Sequence, residues 1–134
     1  MDKTAERGDR MKMENEEQDK LKESVDALEH ALSFLSKVKK DPFYFSGISK
    51  CFEVCFKYAW KHMKRKATAE GFEVYSPKEA IKYGGQLKVI DNVEKWLDFL
   101  EDRNLAVHDY LGISDEDYLN TIQEFLNEVK KLVR

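Results

Sequence analysis

Apolar positions recur along this chain at helical spacing almost from end to end. Leu21, Val25, Leu28, Leu32 and Leu35 follow one another at steps of four, three, four and three. That rhythm places one apolar seam along a helix. Lys39 and Lys40 suit its negative C-terminal end, and Asp41-Pro42 breaks it. A second stripe, Phe52, Cys55, Phe56, Ala59, Trp60 and Met63, predicts a helix from near Ser46 to about Ala69, closed by Gly71. Ser76-Pro77-Lys78-Glu79 carries a cap, a first-turn proline and an acid three residues on, so a short third helix starts there and stops near Gly84-Gly85. Asp91-Asn92-Val93-Glu94 opens a fourth, with Val93, Trp96, Leu97 and Leu100 as its stripe. Ser114 caps a fifth, whose core face is Leu119, Ile122, Phe125, Leu126, Val129 and Leu132.

No segment alternates in the manner of a strand, and the connections are short. The expected class is all-α, an up-and-down antiparallel bundle of about five helices. Residues 1–18 carry both signs of charge and no apolar stripe, so they read as a disordered arm or a frayed helix start. Residues 19–134 read as one domain.

Composition narrows the function. A formal net charge of -3 over 134 residues argues against a general nucleic-acid coat but permits a local basic site. No apolar run is long enough for a membrane span and no signal core opens the chain, so a cytoplasmic location without membrane attachment is the default expectation. Cys51 and Cys55 lie four apart on one helical face, poorly placed for a disulfide, and read as core thiols. A zinc site there would need more ligands than His62 supplies. No metal-ligand pattern, Gly-rich phosphate loop or cofactor signature is present in the sequence, so neither metal nor cofactor is expected.

Chemistry concentrates in Arg103-Asn104-Leu105-Ala106-Val107-His108-Asp109-Tyr110. An arginine holds a phosphate and stabilises added negative charge; a histidine transfers protons near neutral pH. On a regular helix residues five apart diverge by roughly 140°, so Arg103 and His108 converge only through a loosened turn, a curled side chain or a second subunit. The ordinary reading is a chance pair on a helix.

Lys57, Lys61, Lys64, Arg65 and Lys66 form a basic cluster suited to an RNA backbone or to docking an acidic partner. The ordinary reading is a solvated face loosely paired with Glu94, Asp98, Glu101 and Asp102. Trp60 and Trp96 are candidates for stacking on bases, though a tryptophan on an apolar stripe is usually core. His30 lies off the seam and reads as solvated. Glu101 and Asp102 either orient the Arg103 guanidinium or are surface carboxylates.

Taken together, Phe52-Glu53-Val54-Cys55-Phe56-Lys57-Tyr58-Ala59-Trp60-Lys61, Ser76-Pro77, Trp96-Leu97-Asp98-Phe99-Leu100-Glu101-Asp102-Arg103-Asn104 and His108-Asp109-Tyr110 resemble the HEPN-domain proteins called nucleotidyltransferase substrate-binding proteins. The resemblance runs from roughly Leu21 to Lys131. It implies a helical homodimer in which the arginine–histidine motifs of both subunits meet in a cleft. It further implies a ribonuclease toxin of a toxin–antitoxin pair, with RNA as substrate and a minimal nucleotidyltransferase as antitoxin. Catalysis would fall to Arg103, His108 and Asn104. In some members the partner transfers AMP to the tyrosine two residues after the histidine, so Tyr110 here would be such an acceptor or a further phosphate contact. The alternative within the family is a non-catalytic subunit that binds a substrate or nucleotide. This chain departs from the pattern at Ala106 and Val107, where hydroxyl residues are common, and at Lys57, where an acid is common.

Overall fold

The computed structural model describes residues 3–108 and 112–134, which form five α-helices and two single 3-10 turns, with no strand among the described residues. The helices are α1 (Lys3–Leu32), α2 (Pro42–Ala69), α3 (Pro77–Gln86), α4 (Val93–His108) and α5 (Asp115–Val129). Each packs on the next, and α5 returns to pack on α1 and α2, closing the bundle. The all-helical class is the one the periodicity predicts.

Element boundaries differ in instructive ways. Helix α1 begins at Lys3, so helical backbone continues through a stretch without a seam, where Met11 and Met13 are exposed. The predicted continuation to Lys39–Lys40 stops at Leu32. The Ser33 hydroxyl donates to the His30 carbonyl at 2.6 Å and the Ser33 amide to the same oxygen at 3.0 Å, tightening the last turn. A 3-10 turn over Leu35–Lys37 follows.

Helix α2 starts at Pro42, earlier than Ser46. Asp41 caps it, its Oδ1 accepting from the Phe43 amide at 3.0 Å. Pro42 sits at the first helical position, where a missing N–H costs nothing. The dipeptide expected to break the first run therefore begins the second helix.

Ser76 and Ser114 cap their helices as the sequence predicts, while α4 is capped by Asn92, one residue after the Asp91 that opens the Asp91–Glu94 box. The Ser76 Oγ accepts from the Glu79 amide at 3.2 Å, the Asn92 Oδ1 from Lys95 at 3.0 Å and the Ser114 Oγ from Asp117 at 3.1 Å. Helix α3 ends at Gln86, next to Gly84-Gly85 as expected, and the two glycines have a further role. They permit close packing: a Cβ on Gly84 would lie 2.8 Å from the Met63 Sδ, and one on Gly85 would lie 2.0 Å from the Val93 Cγ2. The left-handed residue that turns the chain is Lys88, at φ 61°.

The core centres on aromatic rings from three helices. Phe125 of α5 meets Phe52 and Phe56 of α2 and Trp96 and Phe99 of α4, with centroids 5.0, 5.8, 5.4 and 5.6 Å away. Most of these meet edge to face, the geometry ring quadrupoles favour. Leu21, Val25 and Leu28 bring the α1 seam to the same core. No described helix is long and apolar enough to cross a membrane.

Candidate functional site

Trp96 and Arg103 stand seven residues apart on α4 and therefore share one side of it. Trp96 lies in the core, while Arg103 emerges where α4 runs past the polar side of α2. Its Nε lies 3.5 Å from the Glu53 Oε1, and its Nη1 donates to the Asn104 Oδ1 at 3.3 Å. Both partners of the ion pair are about one-third exposed, so the guanidinium is steadied yet still open to a ligand.

Sequence reasoning offered Glu101 and Asp102 as its holders. Glu101 is exposed, and Asp102 instead accepts from the Thr121 hydroxyl at 2.6 Å, tying α4 to α5. The orienting carboxylate comes from α2. In the sequence Glu53 stood out only as one residue of the Phe52–Lys61 stretch that carries the family resemblance, with no role attached to it. Tyr118 of α5 is buried beside this group, and burial first, then the Glu53 carboxylate, holds its hydroxyl well above the usual tyrosine range.

Arg103 opens onto a cavity of about 630 Å³ between α2, the start of α3 and α4. Its walls include Lys50, Lys57, Lys78 and Asn104 with Phe56 and Trp60. Glu53 also borders a second cavity of about 290 Å³, lined by Phe45, Ser49, Ala106, Val107, Ile113 and Tyr118. The Ser49 hydroxyl there is buried and has no hydrogen-bond partner among the described residues.

His108 ends α4, with its ring outside the described part, and Tyr110 lies outside the described residues. The structure thus brings together Arg103, Asn104, Lys57 and Trp60.

The basic cluster divides. Lys57, Lys61 and Lys64 are exposed along one side of α2, whereas Arg65 pairs with Glu17 of α1 at 3.5 Å. Lys66 borders a small cavity on the α1 side with His62 and Glu14. None of the five pairs with Glu94, Asp98, Glu101 or Asp102 among the described residues.

The tryptophans also part company. Trp96 is core, and Trp60 is half-buried on the cavity wall. His62 is buried, and desolvation, then Arg65 and Lys66, lower its pKa to about 4. Cys55 is a buried free thiol pushed up to about 12 by burial, with Cys51 half-buried beside it. His30 is exposed and meets Phe34 edge-on. No group of three His, Cys, Asp or Glu side chains among the described residues is placed to hold a metal ion.

The described helices thus form a five-helix bundle in which a carboxylate-steadied arginine stands beside a cation-lined cavity. The nucleotidyltransferase substrate binding protein like family matches residues 16–134, and the chain belongs to it.

Solved structures agree on the fold. A tri-AMPylated HEPN toxin of Shewanella oneidensis, in complex with an MNT antitoxin, superposes with TM-score 0.75 at 14% identity, covering 90% of this chain and 92% of that one. A Haemophilus influenzae protein with the fold of a substrate binding domain of a nucleotidyltransferase superposes with TM-score 0.73 at 19% identity, covering 87% and 96%. No curated protein matches the chain by sequence.

Proposed function

We propose that this protein is a HEPN ribonuclease toxin of a toxin–antitoxin pair, cleaving RNA without a metal and controlled by a partner nucleotidyltransferase. The observation that carries the reading is Arg103, held by Glu53 and open to a cavity rich in cations. In the reaction a ribose 2′-oxygen attacks the adjacent phosphorus and the bond to the 5′-oxygen breaks. His108 takes the proton of the 2′-hydroxyl or delivers one to the leaving 5′-oxygen. The products are a 2′,3′-cyclic phosphate and a 5′-hydroxyl. Arg103 stabilises the charge gathering on the phosphate, and Asn104, already bonded to its guanidinium, contributes a polar contact. Because residues 103 and 108 diverge on a regular helix, a homodimer supplies the missing convergence.

The test is incubation of the purified protein with RNA in EDTA. Cleavage with cyclic-phosphate ends is expected, falling about 10²–10⁴-fold in His108→Ala. Cleavage unchanged in that variant at matched purity removes His108 from the mechanism. Sedimentation as a monomer at micromolar concentration counts against the shared cleft.

The second reading, a substrate-binding subunit without catalysis, is favoured by the family description itself. It predicts no cleavage and binding to the partner enzyme. Control by AMP transfer to Tyr110 is read by intact mass after co-expression with a nucleotidyltransferase partner. A gain of AMP units in wild type but not in Tyr110→Phe supports it; no gain, or an equal gain in both, rejects it.

A further inference from the structure

The cavity beside Arg103 differs from the protein around it. The chain as a whole is acidic, with a formal net charge of -3. Yet the cavity wall carries four cations, Lys50, Lys57, Lys78 and Arg103, against the single carboxylate of Glu53. That carboxylate is already engaged by Arg103. Among the described residues none of the three lysines has an ion-pair partner, so their charge is available to a ligand.

One wall is aromatic. Trp60 is half-buried there and packs against no other described ring, whereas Trp96 packs against Phe56, Phe99 and Phe125. At about 630 Å³ the space is within the usual range for a small organic ligand.

Outside the cavity, Lys50, Lys57, Lys61 and Lys64 follow one another on α2 at steps of seven, four and three. That spacing sets them on one side of the helix over roughly 21 Å. All four are exposed. A basic stripe therefore leads along α2 past the cavity mouth.

We propose that this cavity is a nucleoside-phosphate subsite, with the base against Trp60 and the phosphate among Lys57, Lys78 and Arg103. Aromatic stacking accepts any base, and the lysines supply charge without fixing a sequence, so the subsite selects a nucleotide without selecting which one. Its ligand is one residue of an RNA strand or a free nucleotide, and the stripe on α2 favours the strand. The assignment rests on the reading of the protein as one that acts on RNA, but binding alone tests it.

The probes are a short 2′-O-methyl RNA, which cannot be cleaved through its 2′-oxygen, and AMP. Titration of the full chain with the RNA should quench tryptophan emission, and the quench should vanish in Trp60→Phe, which retains only buried Trp96. Trp60→Leu should weaken binding about tenfold or more, while Trp60→Phe keeps a stacking ring and most of the affinity. Lys57→Gln and Lys78→Gln should each lower the magnitude of the log–log salt dependence by about 0.7. Circular dichroism checks the fold of every variant.

Quenching by the RNA alone identifies a strand residue as the ligand, and quenching by AMP identifies a nucleotide. No quench with either probe overturns the proposal, as does an equal quench in Trp60→Phe or salt slopes that neither lysine changes. Wild-type protein given ordinary RNA reports cleavage separately from binding. Binding without cleavage of ordinary RNA would therefore sink the ribonuclease reading and leave this subsite standing.

Discussion

The two halves of α4 do opposite work on the same side of one helix. Its first half carries Trp96 and Phe99 into a ring cluster with Phe125, where both are essentially without solvent. Its second half carries Arg103 and Asn104 to a cavity wall, held by one ion pair, and Asp102 to a hydrogen bond with Thr121. The apolar half is fixed by shape and area, the polar half by a few directional contacts in partial solvent. Substitutions in the second half should therefore cost less stability than those in the first. Rigidity is borrowed from the first half, one to two turns away.

Phe125→Ala should break the comparison most severely. It removes the ring that Trp96, Phe99, Phe52 and Phe56 all meet, and should cost about 3–5 kcal/mol in urea denaturation. A loss under about 1 kcal/mol would mean that the core half is not what holds α4.

Acid sensitivity should come from neither half. His62 lies buried between α1 and α2, and its pKa is lowered to about 4 in the folded protein, against 6.5 for an unperturbed histidine. A base with a depressed folded-state pKa keeps its full contribution above the unfolded value. Between pH 6.5 and 4 the unfolded chain binds the extra proton, so stability should fall as pH falls across that window, by up to about 3 kcal/mol. His62→Leu should flatten that slope. A slope unchanged by His62→Leu would move the acid response elsewhere.

The start of α4 is set by a close approach, since Val93 lies where a side chain on Gly85 would go. Gly85→Ala should cost about 1–3 kcal/mol, and Val93→Ala in the same chain should recover part of it. Simple additivity of the two would dismiss the contact.

The smallest effect belongs to the polar half. Arg103→Ala should change stability by no more than about 1 kcal/mol, because its ion pair with Glu53 is partly solvated. Its consequence should appear in nucleotide binding and cleavage. A large stability loss in Arg103→Ala would erase the distinction between the halves.

Much of the frame was legible because local signals decide it. Ser76, Asn92 and Ser114 each satisfy an amide within their own first turn, so a few consecutive letters suffice to place a helix start. Gly84-Gly85 placed the end of α3 to within a residue, but their second role, admitting Met63 and Val93, depends on residues outside the third helix altogether. Arg103 and Asn104 were found as chemistry, and Trp60 and Lys57 as candidates. Glu53, Lys50 and Lys78 were missed as members of one site. Their meeting is a product of how α2, α3 and α4 pack, and no spacing within a helix encodes it.

The return of α5 across the bundle also has a consequence in time. Phe125, which the other core rings meet, and Thr121 and Tyr118, which support the Arg103 region from below, all belong to the last of the five helices. During synthesis α1 to α4 emerge with their aromatic faces unfilled and Asp102 without its hydroxyl partner. The second half of α4 therefore gains the Asp102–Thr121 hydrogen bond and the Tyr118 ring beside Arg103 only once α5 has packed.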